Sequence, residues 1–144
     1  MSRRLDDLSS DMLPLATVLI ARVVERGLAV LIVDTLRTEE EHLANLKKGT
    51  SATRFSRHLP RFLRTRCAPD DPNRNKSDAI DLAPYNLYQL HGPDKLQWDV
   101  HDPAWQIIGQ EAEKLGLIWG GRWQKPHDPG HAELPRSRWD SFPL

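Results

Sequence analysis

The sequence contains a single cysteine, Cys67, among its 144 residues. One cysteine cannot form a disulfide within the chain, and it cannot supply the several thiolates of a cysteine-rich metal site. Stability must therefore come from packing or from a bound metal. The length is that of one domain with a modest core, so we predict a single domain spanning residues 1–144.

An excess of either sign of charge is also missing. The chain has 20 Lys and Arg against 20 Asp and Glu, and its formal net charge is zero. Domains that bind nucleic acid usually carry a broad basic surface. We therefore expect no nucleic-acid partner.

Long hydrophobic runs are absent as well. Residues 12–24 come nearest, but Arg22 and Glu25 interrupt the stretch, and it is too short to cross a bilayer. Acidic residues precede it and no small-x-small cleavage site follows, unlike a signal peptide. We expect a protein made in the cytoplasm without a signal peptide and without stable membrane insertion.

Apolar residues repeat at helical spacing in three places, which predicts three helices. They fall within residues 12–24, 38–48 and 103–116. Each is preceded by a residue type that favours the N-cap, because its side chain can accept a hydrogen bond from the first turn. The predicted caps are Ser9 or Ser10, then Thr38 with Glu41 completing a capping box, and finally Asp102.

Short runs rich in β-branched and apolar residues predict the strands. A buried strand is expected within residues 28–35, and shorter ones within 79–85, 117–123 and 130–134. Residues 50–78 show little periodicity, and residues 67–78 have the composition of an exposed loop. The predicted fold class is α+β, a small antiparallel sheet with flanking helices.

His127, Asp128 and His131 surround a Pro-Gly pair, a cluster that fits either a metal site or a turn. The two histidines have the spacing of a metalloprotease helix, but proline followed by glycine excludes a helix interior. His58 and Asp81 are candidate further ligands. Two imidazoles and one carboxylate fit a catalytic zinc site with a position open to water, and Asp128 would then serve as general base. Spacing alone leaves many other combinations open.

Three short motifs carry a family resemblance. They are "SRH" at residues 56–58, "DAIDLAP" at 78–84 and "WGGRW" at 119–123 followed by "DPGHAEL" at 128–134. Together they resemble the zinc peptidases that cut peptidoglycan stem peptides, the D-alanyl-D-alanine carboxypeptidase and L-alanyl-D-glutamate endopeptidase family. The resemblance extends over roughly residues 30–134 and implies the Hedgehog/DD-peptidase fold.

The resemblance also implies roles for particular residues. One Zn²⁺ ion would be held by His58, Asp81 and His131, and Asp128 would be the catalytic acid and base. Arg37 would donate to the scissile carbonyl, with Arg54 and Arg57 as alternatives. The residues predicted to bind substrate are Ser56, Arg57, Trp119 and Trp123. For the two tryptophans we prefer core packing to a place in a substrate groove.

The sequence departs from the family pattern in two ways. His58 and Asp81 lie 23 positions apart, much farther than in the family, and Ser77 replaces the family glycine. Residues 59–76 are therefore an insertion that must loop out if both side chains are to bind one metal. Loops lengthen at low entropic cost, so the site can survive. Loops of this length often act as lids or binding loops.

Several residues near the motifs have two interpretations. The basic run formed by Arg57, Arg61, Arg64 and Arg66 would either attract an acidic wall polymer or form a solvated face. Cys67 would be a free surface thiol or would reach the metal. We interpret His127 as a turn residue in preference to a supporting group at the metal.

The function implied by the resemblance is zinc-dependent hydrolysis of a peptidoglycan stem peptide. L-alanyl-D-glutamate endopeptidase activity of the phage-endolysin kind is the first expectation. The alternatives are a D-alanyl-D-alanine carboxypeptidase and a catalytically silent, zinc-bound interaction module. We expect a monomer that reaches the cell wall, in the periplasm, after the membrane is breached.

Overall fold

The computed structural model describes residues 2–49, 56–85, 99–124 and 127–135. Three helices flank one sheet within these ranges, which confirms the α+β class. Residues 50–55 of the stretch without periodicity lie outside the described ranges. The helices are α1 (Leu13–Glu25), α2 (Glu39–Lys48) and α3 (Ala104–Lys114), and the strands are β1 (Val30–Asp34), β2 (Ala79–Pro84), β3 (Ile118–Trp119) and β4 (His131–Glu133).

The four strands are all antiparallel to their neighbours and lie in the order β1-β2-β4-β3. Asp81 in the middle of β2 is opposite His131 of β4, and on its other side it is opposite Asp34 of β1. An irregularity between Ile32 and Asp34 shifts the β1 register. The sheet thus sets two carboxylates and an imidazole side by side across three strands.

The helix ends follow the predicted signals closely. The Thr38 side chain and Glu41 form the expected capping box at α2, and Gly49 ends that helix with a φ of 77°. Asp102 Oδ1 accepts a hydrogen bond from the Ala104 N–H at the start of α3. The N-cap predicted for α1 lies one turn before the observed start of the helix. Ser9 Oγ accepts a hydrogen bond from the Met12 N–H, but the helix begins at Leu13 without a side-chain cap.

The core lies between the sheet and the pair α1 and α3. Its fully buried side chains include Leu19 from α1, Ile80 from β2 and Ile108 from α3. α3 approaches the sheet closely because Gly109 has no side chain: a Cβ there would lie 2.3 Å from the Trp119 ring. None of the helices found in the described ranges is both long and apolar enough to span a membrane.

β1 differs from the buried strand predicted for residues 28–35. It is the end strand of the described sheet, and Leu31 is 40% exposed. Only its last residue, Asp34, is classed as buried. A run of apolar residues predicts a strand, but it does not distinguish a central strand from an edge strand.

The basic run was predicted to be either a solvated face or a surface for an acidic polymer. Both interpretations were wrong for three of its four members. Arg57, Arg61 and Arg64 are buried, and only Arg66 is exposed. The Arg61 and Arg64 guanidiniums donate to the buried carboxylate of Asp78 at 3.0 and 2.6 Å. Buried charges need partners of opposite sign, and these arginines bind one within the chain.

Segment 59–76 loops out as predicted and is fastened at its base. The Asp78 N–H donates to the Arg57 carbonyl at 3.0 Å, which brings the two ends together. Inside this closure, Arg61 N–H donates to Lys76 O and Phe62 N–H to Arg74 O. The prediction of an exposed loop over residues 67–78 was wrong at the C-terminal end of this range, because Ser77 and Asp78 are buried.

We predict that Asp78→Asn strongly destabilises the fold. Removing the carboxylate takes away the buried counter-charge that Arg61 and Arg64 share, although Arg61 keeps its ion pair with the more exposed Asp11. Breaking a buried ion pair typically costs about 3 kcal/mol or more of unfolding free energy. Urea denaturation at neutral pH measures the loss. Asp70→Asn, an exposed change in the same segment, is the control and should stay within about 0.5 kcal/mol of wild type. A similarly small loss for Asp78→Asn would mean that the ion cluster contributes little.

The contribution of Asp78 should also depend on pH. Burial alone would raise the pKa of Asp78, but hydrogen bonds and charges from Arg61, Arg64 and Ser9 outweigh it and hold that pKa below its ordinary value. The stabilisation is therefore complete above the pKa of an unfolded aspartate, about 3.9, and is lost as the pH falls through the lower folded pKa. Urea denaturation of wild type and Asp78→Asn should show the difference in unfolding free energy narrowing below about pH 4. A difference that stays constant into acid would contradict this.

Candidate active site

The three predicted ligands come together at one face of the sheet. One side-chain nitrogen or oxygen from each of His58, Asp81 and His131 lies within 4.8 Å of the others. Asp81 Oδ1 is 3.1 Å from His58 Nε2 and 2.9 Å from His131 Nδ1. Asp81 and His131 come from paired positions of neighbouring strands, whereas His58 comes from the chain just before segment 59–76.

The orientation of His58 fits a metal ligand. Its Nδ1 lies 2.8 Å from the Thr35 carbonyl, to which it donates, so Nε2 is the nitrogen that carries the lone pair in the neutral imidazole. That nitrogen is buried and has no hydrogen-bond partner among the described residues, although it faces a carboxylate oxygen of Asp81. Two acceptors that face each other in a buried site need a cation between them.

His131 is oriented in the matching way by Glu133, a residue that sequence reasoning missed. His131 Nε2 donates to Glu133 Oε1 at 2.7 Å, which leaves Nδ1 facing Asp81. Glu133 is itself held by Arg57, whose Nε lies 3.3 Å from Glu133 Oε2. The signal was present in the sequence, because residues two apart in a strand share one face. A carboxylate behind a ligating imidazole is the usual support in metal sites.

Ser77, which replaces the family glycine, supports the other histidine. Its Oγ donates to the Thr35 carbonyl at 2.7 Å, and this is the same oxygen that accepts from His58 Nδ1. The serine is fully buried, and its backbone N–H donates to the Asp7 carbonyl. The departure from the family pattern therefore adds a hydrogen bond behind His58 and leaves the site intact.

The charges of the site perturb its titrating groups strongly. Burial alone would raise the pKa of Asp81, but His58 and His131 lower it far below its ordinary value. Burial alone would lower the pKa of His131, but hydrogen bonds to Asp81 and Glu133 raise it to about 10. The cluster therefore attracts positive charge, whether a proton or a metal cation.

Asp128 lies at the edge of the cluster, where a base would be useful. Its Oδ2 is 3.9 Å from His131 Nδ1, and its side chain is 41% exposed. Partial burial and the charge of Asp81 raise the pKa of Asp128. Its backbone N–H donates to the Gly120 carbonyl, and a Cβ on Gly120 would lie 2.4 Å from the Asp128 carbonyl oxygen. The glycine therefore permits the close approach that sets Asp128 in place.

Arg37 is held beside the site by Asp34, a second residue that the sequence did not single out. Its Nε and terminal Nη2 donate to Asp34 Oδ2 at 3.2 and 2.8 Å, and its backbone N–H donates to the His58 carbonyl. The positive charge of Arg37 lowers the pKa of Asp128 and so partly offsets the increase caused by burial and by Asp81. Of the alternative arginines, Arg57 is paired with Glu133, and Arg54 lies outside the described residues.

The four residues predicted to bind substrate do not share one environment. Ser56 and Arg57 are buried, and Ser56 Oγ accepts from the His58 N–H. Trp119 is buried and donates from Nε1 to the Pro129 carbonyl at 2.7 Å, so it serves packing. Trp123 is half-buried, with its ring centroid 4.9 Å from that of His131. Of the four, Trp123 has the geometry that best suits contact with a substrate.

Two residues with alternative interpretations lie away from the ligand cluster. His127 is exposed, and its Nε2 lies 3.1 Å from the Gly121 carbonyl, as expected for a turn residue. Cys67 is half-buried and is not among the three clustered ligands. Burial and the charge of Asp71 raise the pKa of its thiol, which disfavours the thiolate that a metal would bind.

Comparisons with known proteins bear on the family and on the fold. A family model described as D-alanyl-D-alanine carboxypeptidase matches residues 73–134, which include Asp81, Asp128 and His131. The crystal structure of the L-Ala D-Glu endopeptidase ChiX of Serratia marcescens is similar, with a TM-score of 0.55 and 19% sequence identity. The predicted family resemblance is confirmed. The alignment with ChiX covers 91% of this chain and 83% of the endopeptidase chain, which confirms the predicted fold. No curated protein matches the chain in sequence.

We predict that Glu133→Gln weakens metal binding at this site. The amide cannot accept as strongly as a carboxylate from His131 Nε2, and loss of such a supporting group typically lowers metal affinity by about 10–100-fold. Competition with a chromophoric zinc chelator measures the affinity.

Glu113→Gln is the matched control for this change. Glu113 on α3 pairs with the exposed Arg122, outside the ligand cluster, so its replacement should leave the affinity unchanged. Equal zinc affinity for Glu133→Gln and wild type would show that Glu133 does not support a ligand.

Proposed function

We propose that this chain is a zinc-dependent peptidoglycan peptidase that hydrolyses an amide bond of the stem peptide, and that the whole chain acts as one catalytic domain. L-alanyl-D-glutamate endopeptidase activity of the endolysin kind is the first candidate. The observation that carries the proposal is the convergence of His58 Nε2, His131 Nδ1 and Asp81 Oδ1 beside Asp128. The fold shared with the endopeptidase ChiX supports it.

The ligand set fits zinc in composition. Two imidazole nitrogens and one carboxylate are typical of catalytic zinc sites, which leave one position for water or substrate. The second nitrogen of each histidine has a partner within the protein, Thr35 O for His58 and Glu133 Oε1 for His131. Both imidazoles are therefore fixed with their other nitrogen toward Asp81, so zinc binding would displace the proton between His131 Nδ1 and Asp81 Oδ1.

In the proposed mechanism, Asp128 and Arg37 act on the reacting atoms. A zinc ion bound by the three ligands would supply Lewis-acid polarisation of the scissile carbonyl and would acidify the attacking water. Asp128 accepts a proton from that water and returns it to the leaving amine, a role that its raised pKa favours. The Arg37 guanidinium, oriented by Asp34, donates to the carbonyl oxygen as negative charge develops there.

A D-alanyl-D-alanine carboxypeptidase is the second candidate. The description of the family model that matches residues 73–134 favours it. Both activities need the same ligands, base and electrophile, because each hydrolyses an amide with alanine on its carbonyl side. Only the cleavage products separate the two candidates.

We predict that the zinc-loaded protein digests purified peptidoglycan and that Asp128→Asn loses this activity. An asparagine keeps the shape of the side chain but cannot accept the proton, so the rate should fall by about 100-fold or more. Mass spectrometry of the released fragments measures the cleavage. New termini between L-Ala and D-Glu would establish the endopeptidase, and release of terminal D-Ala alone would establish the carboxypeptidase.

His127→Asn, one position away and exposed, is the matched control and should retain activity. Removal of the metal with a chelator should abolish cleavage, and added zinc should restore it. Absence of cleavage by the zinc-loaded wild type would overturn the proposal in favour of the silent zinc-bound module.

A further inference from the structure

A cavity of about 250 Å³ opens beside the candidate catalytic groups. Asp81 and Asp128 form one part of its wall, so a side chain in the cavity would lie next to the reacting bond. The rest of the described lining is apolar and comes from Val33, Leu82, Val100 and Trp105 together with the Pro129-Gly130 turn. None of these described lining residues is cationic.

The apolar wall is built into the fold. A Cβ on Gly130 would lie 2.2 Å from the Leu82 carbonyl oxygen and 3.1 Å from the Trp105 ring, so only glycine permits this close contact. The Gly130 carbonyl accepts from the Leu82 N–H, which fastens the turn to β2. The Trp105 N–H is satisfied by the Asp99 carbonyl at 2.8 Å, so the indole offers the cavity a carbon surface.

The charges decide which part of a substrate fits. In both candidate reactions the residue on the amine side carries a carboxylate, either as D-glutamate or as the terminal D-alanine. A zinc ion on Asp81 would offset the negative charge at one edge of this cavity, but the apolar remainder of the described lining offers a carboxylate neither a cation nor a side-chain hydrogen-bond donor. Burying a carboxylate there is therefore unfavourable. The residue on the carbonyl side is alanine in both reactions, and its methyl group suits an apolar wall.

We propose that this cavity is the subsite for the uncharged, apolar side chain on the carbonyl side of the scissile amide. The assignment rests on the proposed peptidase function and adds its specificity-determining residues, Val33, Val100 and Trp105. The cavity volume exceeds what one methyl group fills. The enzyme should therefore accept larger apolar side chains at this position and reject polar ones of equal size.

The test compares three stem-peptide analogues with alanine, leucine or asparagine on the carbonyl side of the cleaved bond. Leucine and asparagine are similar in size and differ in polarity. We expect kcat/KM for leucine to exceed that for asparagine by about tenfold or more, because the asparagine amide would be buried without partners. Mass spectrometry confirms that the same bond is cut in each analogue.

A matched pair of variants tests whether acceptance of a large apolar side chain depends on the cavity. Val100 lines it and is 42% exposed, whereas Val18 on α1 is 39% exposed and is not in the lining. Val100→Trp should narrow the cavity and lower kcat/KM for leucine by about tenfold more than for alanine. Val18→Trp should leave the leucine-to-alanine ratio unchanged. Thermal denaturation of both variants verifies that each is folded.

The outcomes separate this inference from the proposed function. Cleavage of all three analogues without preference for leucine over asparagine would overturn the subsite and leave the peptidase function standing. An equal effect of Val100→Trp on leucine and alanine would do the same. Cleavage of none of the analogues, together with none of peptidoglycan, would overturn both.

Discussion

The antiparallel register between β2 and β4 is the constraint on which the rest of the site depends. It pairs Asp81 with His131, and the same strand pairs Asp81 with Asp34 on the other side. Because side chains alternate between the faces of a strand, a slip of one residue would turn Asp81 toward the core and Ile80 or Leu82 toward the site. The buried side chains of Ile80 and Leu82 oppose that slip. Core packing therefore fixes the positions of Asp81 and His131, two of the three candidate ligands.

The third candidate ligand needs a different support, since His58 lies on no strand. Its segment is held by backbone bonds from Arg37 N–H to His58 O and from Asp78 N–H to Arg57 O. The buried arginines of segment 59–76 bind the Asp78 carboxylate, three residues before Asp81. Segment 59–76 thus contributes ion pairs next to the site. It separates His58 from Asp81 in sequence, but the two side chains remain in contact.

Acidic and basic groups alternate through the site. Arg57 binds Glu133, Glu133 binds His131, and His131 contacts Asp81. On the opposite side Asp34 binds Arg37. The first chain of contacts ends at the Asp81 carboxylate, and the charge of Arg37 in the second acts on the Asp128 carboxylate. This arrangement suits a divalent cation, and it gives the two histidines fixed orientations before any ion binds.

The sequence by itself determined the α+β class, the capping box at α2, the three ligand motifs and the family resemblance, because each depends on local spacing or on a short motif. It did not reveal that Arg57, Arg61 and Arg64 are buried, since arginines of a surface run and arginines of a buried cluster look alike in a sequence. It also missed Glu133, Asp34 and the apolar cavity. Those features join residues from distant parts of the chain, and only the tertiary structure, through the sheet register and the closure of segment 59–76, decided which of them meet.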